Sequence, residues 1–132
     1  MKNKFLLGMF IILIVITGCQ KITQEDIDKE LSRWWVIYYK MREDEIPWQT
    51  DLITGPNGVD ETLKREFNPK GEHFSEHYNS SSIKDKYRLV KRRNELMEEA
   101  LIKLKGEEVL REIEGIWSLD EIPELWEKVN KQ

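Results

Sequence analysis

The longest regular pattern in the chain lies at residues 83–105, which read IKDKYRLVKRRNELMEEALIKLK. Its apolar side chains recur at alternating intervals of four and three residues, and this spacing places them on one face of an α-helix. The face consists of Ile83, Tyr87, Val90, Asn94, Met97, Leu101 and Leu104, flanked by Leu89, Leu96 and Ala100. Serines at 80–82 supply caps for its start, and Gly106 ends it. The stretch therefore predicts a long helix with a packing face.

A second helix is predicted to begin at residue 24. Thr23 is suited to cap it, with Asp26 at the third helical position, and Ile22 and Ile27 are spaced to form a hydrophobic staple. Its packing face is predicted to consist of Ile27, Leu31, Trp34, Tyr38 and Met41. Two helices with matching faces pack side by side, and the long segment between them allows either direction.

The segment between the long helices is predicted to be irregular, because it contains Pro47, Pro56 and Pro69. Residues 55–58 read Gly-Pro-Asn-Gly, which is typical of a tight turn. One short helix is expected from Asp60 to Phe67. Connections of this length are often functional, so a binding site is expected in or beside this segment.

Short helices are predicted to follow the second long helix. Residues 107–115 offer two helical turns, and Ser118 with Glu121 forms a capping box for a final helix. That helix carries Leu125, Trp126 and Val129. The expected fold is all-α: a small helical bundle with two long packed helices, short C-terminal helices and an irregular middle segment.

Asn94 is the polar member of the packing face at 83–105. A buried asparagine can set register or partner choice, as it does in coiled coils. We favour the alternative, in which Asn94 lies at the edge of the bundle and faces water.

The amino-terminal residues form an export signal. Lys2 and Lys4 precede an apolar run of twelve residues from Phe5 to Ile16, which is too short to cross a bilayer, and residues 16–19 read Ile-Thr-Gly-Cys. This arrangement resembles the signal peptide and cleavage box of bacterial lipoproteins. The resemblance implies that residues 1–18 are cleaved and that Cys19 receives the lipid. Residues 19–23 then form a tether, and 24–132 form a single small helical domain.

The lipoprotein resemblance also implies a location. Acylated Cys19 holds the protein in the bilayer on the extracytoplasmic side of the bacterial cell membrane. Gln20, in place of an aspartate, favours the outer membrane in a Gram-negative host. Cys19 is the only cysteine, so no thiol remains for a disulfide or a thiolate metal site. Loss of Lys2 and Lys4 changes the net charge from −4 to −6, and nucleic acid is therefore not an expected partner.

The two histidines of the chain lie in the sequence Glu-His-Phe-Ser-Glu-His at residues 72–77. The order His73, Glu76, His77 resembles the signature of the inverted zinc metallopeptidases, which implies a zinc ion held by the two histidines. Pro69 and Gly71 precede the motif, and the short match favours ordinary surface histidines. A metal-binding lipoprotein that uses His73, Glu76 and His77 is kept as the alternative function.

Residues 84–93 carry six basic side chains and one acid. This run can meet anionic lipid headgroups or an acidic partner. The favoured interpretation is a solvated helix face paired with Glu95, Glu98 and Glu99. If the run contacts a partner, Arg88 and Arg92 are the residues expected to do so.

The chain contains five tryptophans, which are candidates for the core or for contact with a partner. Trp34 is expected in the core, and Trp117 and Trp126 are expected to dock the C-terminal helices. Trp35 and Trp48 are the predicted contact residues. No enzyme motif accompanies them, so the predicted function is a non-enzymatic binding or accessory module, without a cofactor, for another macromolecule of the cell envelope or outside the cell. The expected partner is an envelope protein.

Overall fold

The computed structural model describes residues 21–67, 78–79 and 81–131, and within them the chain forms helices and no strand. The helices are α1 (Gln24–Glu43), α2 (Val59–Phe67), α3 (Ile83–Lys105), α4 (Glu108–Arg111) and α5 (Pro123–Asn130), with a 3-10 helix at Leu119–Glu121. The predicted all-α architecture of two long packed helices and short C-terminal helices is confirmed. Within the described ranges, no helix is long and apolar enough to span a bilayer.

The capping box predicted at the start of α1 is present. The main-chain N–H of Thr23 donates to the Asp26 carboxylate at 2.9 Å, and Thr23 is extended while the following residues are helical. This contact satisfies a main-chain donor that a helix start otherwise leaves without an acceptor. Local side-chain chemistry therefore fixes where α1 begins.

The buried face of α1 agrees only in part with the predicted one, since Ile27 and Met41 are buried as predicted. Leu31, Trp34 and Tyr38 are only half-buried, whereas Val36 and Ile37 are completely buried. Three charged residues share the buried face, namely Glu30, Arg33 and Lys40. The apolar spacing did not predict these buried charges, because their partners lie on other parts of the bundle. A charge that is paired and hydrogen-bonded can be buried.

The packing face of α3 is largely as predicted. Val90, Met97 and Leu101 are buried, and so are all three residues expected to flank them. Tyr87 and Leu104 are half-buried, and Ile83 is 48% exposed at the first position of the helix. The core of the protein lies between this face, α1, the middle segment and the chain after Gly106.

Asn94 is buried, so the prediction that it faces water is wrong. It is 3% exposed, and its Nδ2 donates at 2.8 Å both to the main-chain oxygen and to the carboxylate of Glu30. The physical reason is the buried Glu30, whose carboxylate requires a donor at this position.

The two long helices run parallel. Asn94 of α3 contacts Glu30 of α1, and one turn further along both helices Arg33 pairs with Glu98 at 3.2 Å. The two contacts advance in the same direction, which settles an orientation that the sequence left open. A parallel pair needs a connection that returns the chain to the other end of the bundle.

The described part of the middle segment provides the start of that return. Trp48 already lies beside Trp34 in the middle of α1, with ring centroids 6.1 Å apart. The predicted turn at 55–58 is present, because Gly58 N–H donates to the Gly55 oxygen at 3.0 Å and Asn57 has a φ of 62°. This matches a turn with proline second and a left-handed residue third. The predicted short helix is α2, which packs against α3.

The chain after α3 folds back along α1. α3 ends at Gly106, as predicted, and the Arg33 guanidinium then donates to the main-chain oxygens of Ile113 and Ile116. The predicted capping box of Ser118 and Glu121 is present, but it caps the 3-10 helix, and the final helix α5 begins separately at Pro123. α5 docks through Leu125 and Val129, but Trp126 is 51% exposed and does not dock it.

Candidate interaction surface

Five aromatic side chains form a contiguous group on one flank of α1. This aromatic cluster consists of Trp34, Trp35, Tyr38, Tyr39 and Trp48. Four of them come from the six-residue stretch 34–39, which reads WWVIYY, and the fifth comes from the returning middle segment. The helix places residues four apart on the same side, so the sequence brings each tryptophan over a tyrosine.

Trp34 is the centre of the aromatic cluster. Its ring stacks on Tyr38 with centroids 5.2 Å apart and planes 10° from parallel. It also meets Trp35 edge-on at 4.9 Å and Trp48 at 6.1 Å. Offset stacks and edge-to-face contacts of this kind add about 0.5–1.5 kcal/mol per pair beyond the burial of area. The cluster is therefore a rigid surface.

Trp35 is the outward-facing member of the aromatic cluster. It is 49% exposed, whereas Trp34, Tyr38, Tyr39 and Trp48 are half-buried. Besides Trp34, its ring contacts Tyr38 at 5.8 Å and Tyr39 at 6.4 Å. A large apolar ring is thus presented to solvent while three neighbouring rings restrict its motion.

A buried cation lies behind the aromatic cluster. The guanidinium of Arg93, from α3, is 4.6 Å from the centroid of the Trp34 ring. Burial lowers the pKa of Arg93 to about 10, although Tyr78 and Asp60 oppose that change. A desolvated cation over an indole ring contributes about 2 kcal/mol. Arg93 therefore joins the cluster to α3 and fixes Trp34 in place.

The other predicted contact residues are placed differently. Trp48 packs against the core and belongs to the aromatic cluster, but it is less exposed than Trp35. Arg92 holds α2 to α3, since its guanidinium donates to both carboxylate oxygens of Glu66, at 2.9 and 3.1 Å. These hydrogen bonds raise the pKa of Arg92. Arg88 is exposed and has a loose contact with Asp85 at 3.8 Å.

The expected pairing of the basic run with nearby acids occurs only in part. Arg92 reaches Glu95 at 3.5 Å, but Glu98 pairs with Arg33 of α1 instead. Lys91 lies over the ring of Tyr87. The first half of the run is therefore less neutralised by neighbouring acids than the sequence indicated.

The lipidation and metal predictions concern residues outside the described ranges. Cys19, His73, Glu76 and His77 all belong to those parts of the chain, so their arrangement stays a prediction. In the ranges that the structure describes, no three histidine, cysteine or carboxylate side chains are grouped to hold a metal ion.

A second polar centre lies at the carboxyl end of α1. The buried Lys40 ammonium binds Glu112 and contacts Glu43 at 3.3 Å and Asp44 at 3.6 Å. Burial by itself lowers the pKa of Lys40, but the hydrogen bonds and charges of these acids more than compensate and raise it. The ammonium is thus compensated by three carboxylates, and its contact with Glu112 joins α1 to the C-terminal part of the chain.

Two members of the aromatic cluster, Tyr38 and Tyr39, were not among the predicted contact residues. The repeated pairs in WWVIYY, four residues apart, were the signal that pointed to them. No protein-family model matches the chain, and no curated protein or solved structure is significantly similar to it. The fold and the aromatic cluster define the class of protein as a small all-α bundle with an aromatic surface.

Proposed function

We propose that this chain is a membrane-anchored lipoprotein that acts without catalysis, binding an envelope protein through its aromatic cluster. The observation that supports this proposal most is the exposure of Trp35 among rings that hold it rigid. Tryptophan and tyrosine are enriched among the residues that dominate binding energy, because they bury much area at small conformational cost. An exposed, braced indole suits that role.

The anchor is supported by the sequence and by the position of α1. Cys19 follows an apolar run and the residues Ile-Thr-Gly, and α1 begins five residues later at Gln24. Five residues span at most ~18 Å of extended chain, so the helical bundle stays close to the bilayer. Trp35 lies eleven residues further along α1, which is about 16 Å at 1.5 Å per residue. The aromatic cluster is thus held clear of the anchored end.

A non-enzymatic role is supported by the way the buried charged groups are used. Arg33 binds Glu98 and two main-chain oxygens, and Lys40 binds Glu112. Each of these contacts joins separate parts of the fold. Charged groups committed to one another in this way serve as structural ties.

Site-specific photo-crosslinking in the native envelope tests the binding proposal. A photoreactive amino acid is placed at Trp35 and, as the matched control, at Trp126, which is equally exposed on α5. We expect one discrete protein adduct from position 35 and none from position 126. The adduct formed from position 35 should decrease about tenfold when Tyr39 is changed to alanine, because that change removes a neighbouring ring of the aromatic cluster that contacts the partner.

Different results contradict the binding role of the aromatic cluster and the lipid anchor at Cys19. Equal labelling from positions 35 and 126 contradicts a binding role for the aromatic cluster. Cys19→Ser is expected to release the protein from the membrane fraction. If the Cys19→Ser protein remains anchored like the unchanged chain, the lipoprotein assignment is wrong, whatever the crosslinks show.

A further inference from the structure

The amino end of α3 projects beyond the amino end of α1. Asn94 and Glu30 lie side by side in the parallel pair. From that level α3 extends eleven residues back to Ile83, whereas α1 extends six residues back to Gln24. The difference of five residues corresponds to about 7 Å of helix. The first turns of α3 therefore lie beyond Gln24, the first residue of α1.

The projecting turns of α3 are basic and have an exposed apolar residue at their tip. The basic side chains are Lys84, Lys86, Arg88 and Lys91, against Asp85 as the one acid of Ile83–Lys91. Ile83 itself is 48% exposed. Lys84 and Arg88 are exposed as well. We call Ile83, Lys84, Lys86 and Arg88 the basic tip.

The acids at this end of the molecule are set back from the basic tip. Glu25, Asp26 and Asp28 occupy the first two turns of α1, about 9–14 Å behind the first residue of α3. Asp26 accepts the hydrogen bond of the capping box, and Asp28 accepts one from Gln24 at 3.0 Å. Among the residues that the structure describes, the surface that projects furthest beyond the amino end of α1 therefore carries more basic than acidic side chains, although the protein as a whole is acidic.

We propose that the basic tip contacts anionic phospholipid headgroups, with Ile83 reaching the boundary of the acyl chains. This proposal rests on the lipid anchor of the proposed function, since the anchor brings the tip to the bilayer. Lysine and arginine side chains close to an anionic leaflet are attracted to it, and apolar side chains at a cationic tip add contact with the interface. The contact orients the bundle with α1 and α3 directed away from the bilayer. That orientation presents the aromatic cluster to a partner above the membrane.

Fluorescence quenching on vesicles tests this orientation with the lipidated protein. A fluorophore is attached at Asn79→Cys, which is exposed near the basic tip, or at Glu107→Cys, which is exposed beyond the opposite end of α3. The vesicles contain a headgroup quencher in either phosphatidylcholine alone or a mixture with phosphatidylglycerol. We expect quenching at position 79 to rise about twofold with phosphatidylglycerol and to fall again in high salt. Quenching at position 107 should not change.

Charge reversal provides the matched comparison. Lys84→Glu with Arg88→Glu is expected to abolish the rise at position 79. Lys103→Glu with Lys105→Glu makes the same change in net charge at the other end of α3 and should leave the rise intact. Circular dichroism of both double variants confirms that the helices are retained.

Different results contradict the role of the basic tip and the presence of the lipid anchor. Equal quenching at position 79 on both vesicle types overturns the role of the basic tip, provided that the protein floats with the vesicles. The role of the basic tip is also overturned if the two charge-reversed variants show the same quenching at position 79. If the protein purified from its native membrane does not float with vesicles and carries no acyl chain, the anchor is wrong, and the orientation fails with it.

Discussion

Asn94 and Glu30 are an example of two buried polar residues that specify each other. Nδ2 of Asn94 donates to both the main chain and the carboxylate of Glu30, and this joins the middle of α3 to the middle of α1. Without that amide, the Glu30 carboxylate is left buried with one donor fewer. A lost partner in such a place costs more than the bond itself contributes, because the remaining group stays desolvated. The pair therefore fixes the register of the two helices.

Changing Asn94 to alanine is expected to lower the free energy of unfolding by about 1–3 kcal/mol. Lys103→Ala, at an exposed position on the same helix, should alter it by less than about 0.5 kcal/mol. Urea denaturation followed by circular dichroism measures both. The double change of Glu30 and Asn94 to alanine should cost less than the sum of the single changes. Simple additivity of the two single effects would show that the pair does not act as a unit.

At the scale of the element, α3 depends on the residue that ends it. Gly106 has a φ of 86° and a ψ of 172°, a combination that almost only glycine adopts, and its N–H donates to the Ile102 oxygen. This conformation turns the chain back toward α1, so that the residues from 107 onward cover the core. A Cβ atom at residue 106 would meet no atom within 4 Å. Glycine is therefore required at residue 106 because of the backbone conformation and not because space for a side chain is lacking.

Gly106→Ala is expected to lower the free energy of unfolding by about 1–3 kcal/mol, the cost of holding alanine in that backbone conformation. Lys105→Ala is the control, because it changes the preceding helical residue without affecting the turn. Thermal unfolding of the two variants makes the comparison. A Gly106→Ala protein as stable as the control would mean that the end of α3 relaxes without cost.

For the whole molecule, Arg33 is a residue that joins three distant parts of the chain. From α1 its guanidinium reaches Glu98 on α3 and the main-chain oxygens of Ile113 and Ile116, the latter at 2.8 Å. The planar fork of arginine serves several acceptors at once, which the single ammonium group of lysine does not reproduce. Arg33 thus holds the C-terminal part of the chain against the two long helices.

Arg33→Ala is expected to lower the free energy of unfolding by about 3 kcal/mol, since it leaves Glu98 without Arg33 and removes a donor from the main-chain oxygens of Ile113 and Ile116. Hydrogen exchange should accelerate most at residues 112–117. Arg33→Lys should lower the free energy of unfolding by less than Arg33→Ala does, but it should still be less stable than the unchanged protein. Arg111→Ala removes an exposed arginine whose ion pairs within the described part of the chain are with its neighbours Glu107 and Glu108, and it should change the stability little. Uniform acceleration over the whole chain would contradict a local role for Arg33.

The sequence by itself determined the features that depend on neighbouring residues. The capping box of Thr23 and Asp26, the turn at 55–58 and the end of α3 at Gly106 were all predicted, because each results from contacts within a few residues. The apolar spacing of α3 predicted its buried face for the same reason. In α1 the apolar spacing predicted the buried face only in part, because three charged residues share that face.

Only the tertiary structure decided what depends on contacts far apart in the chain. It buried Asn94 against Glu30, brought Arg33 to Glu98, and made α1 and α3 parallel. It also added Trp48 to the aromatic cluster. The physical reason is that the free energy of burying a charged or aromatic side chain depends on its partners. The Ile116 oxygen, for example, lies 83 residues from Arg33 along the chain, beyond the reach of any local pattern.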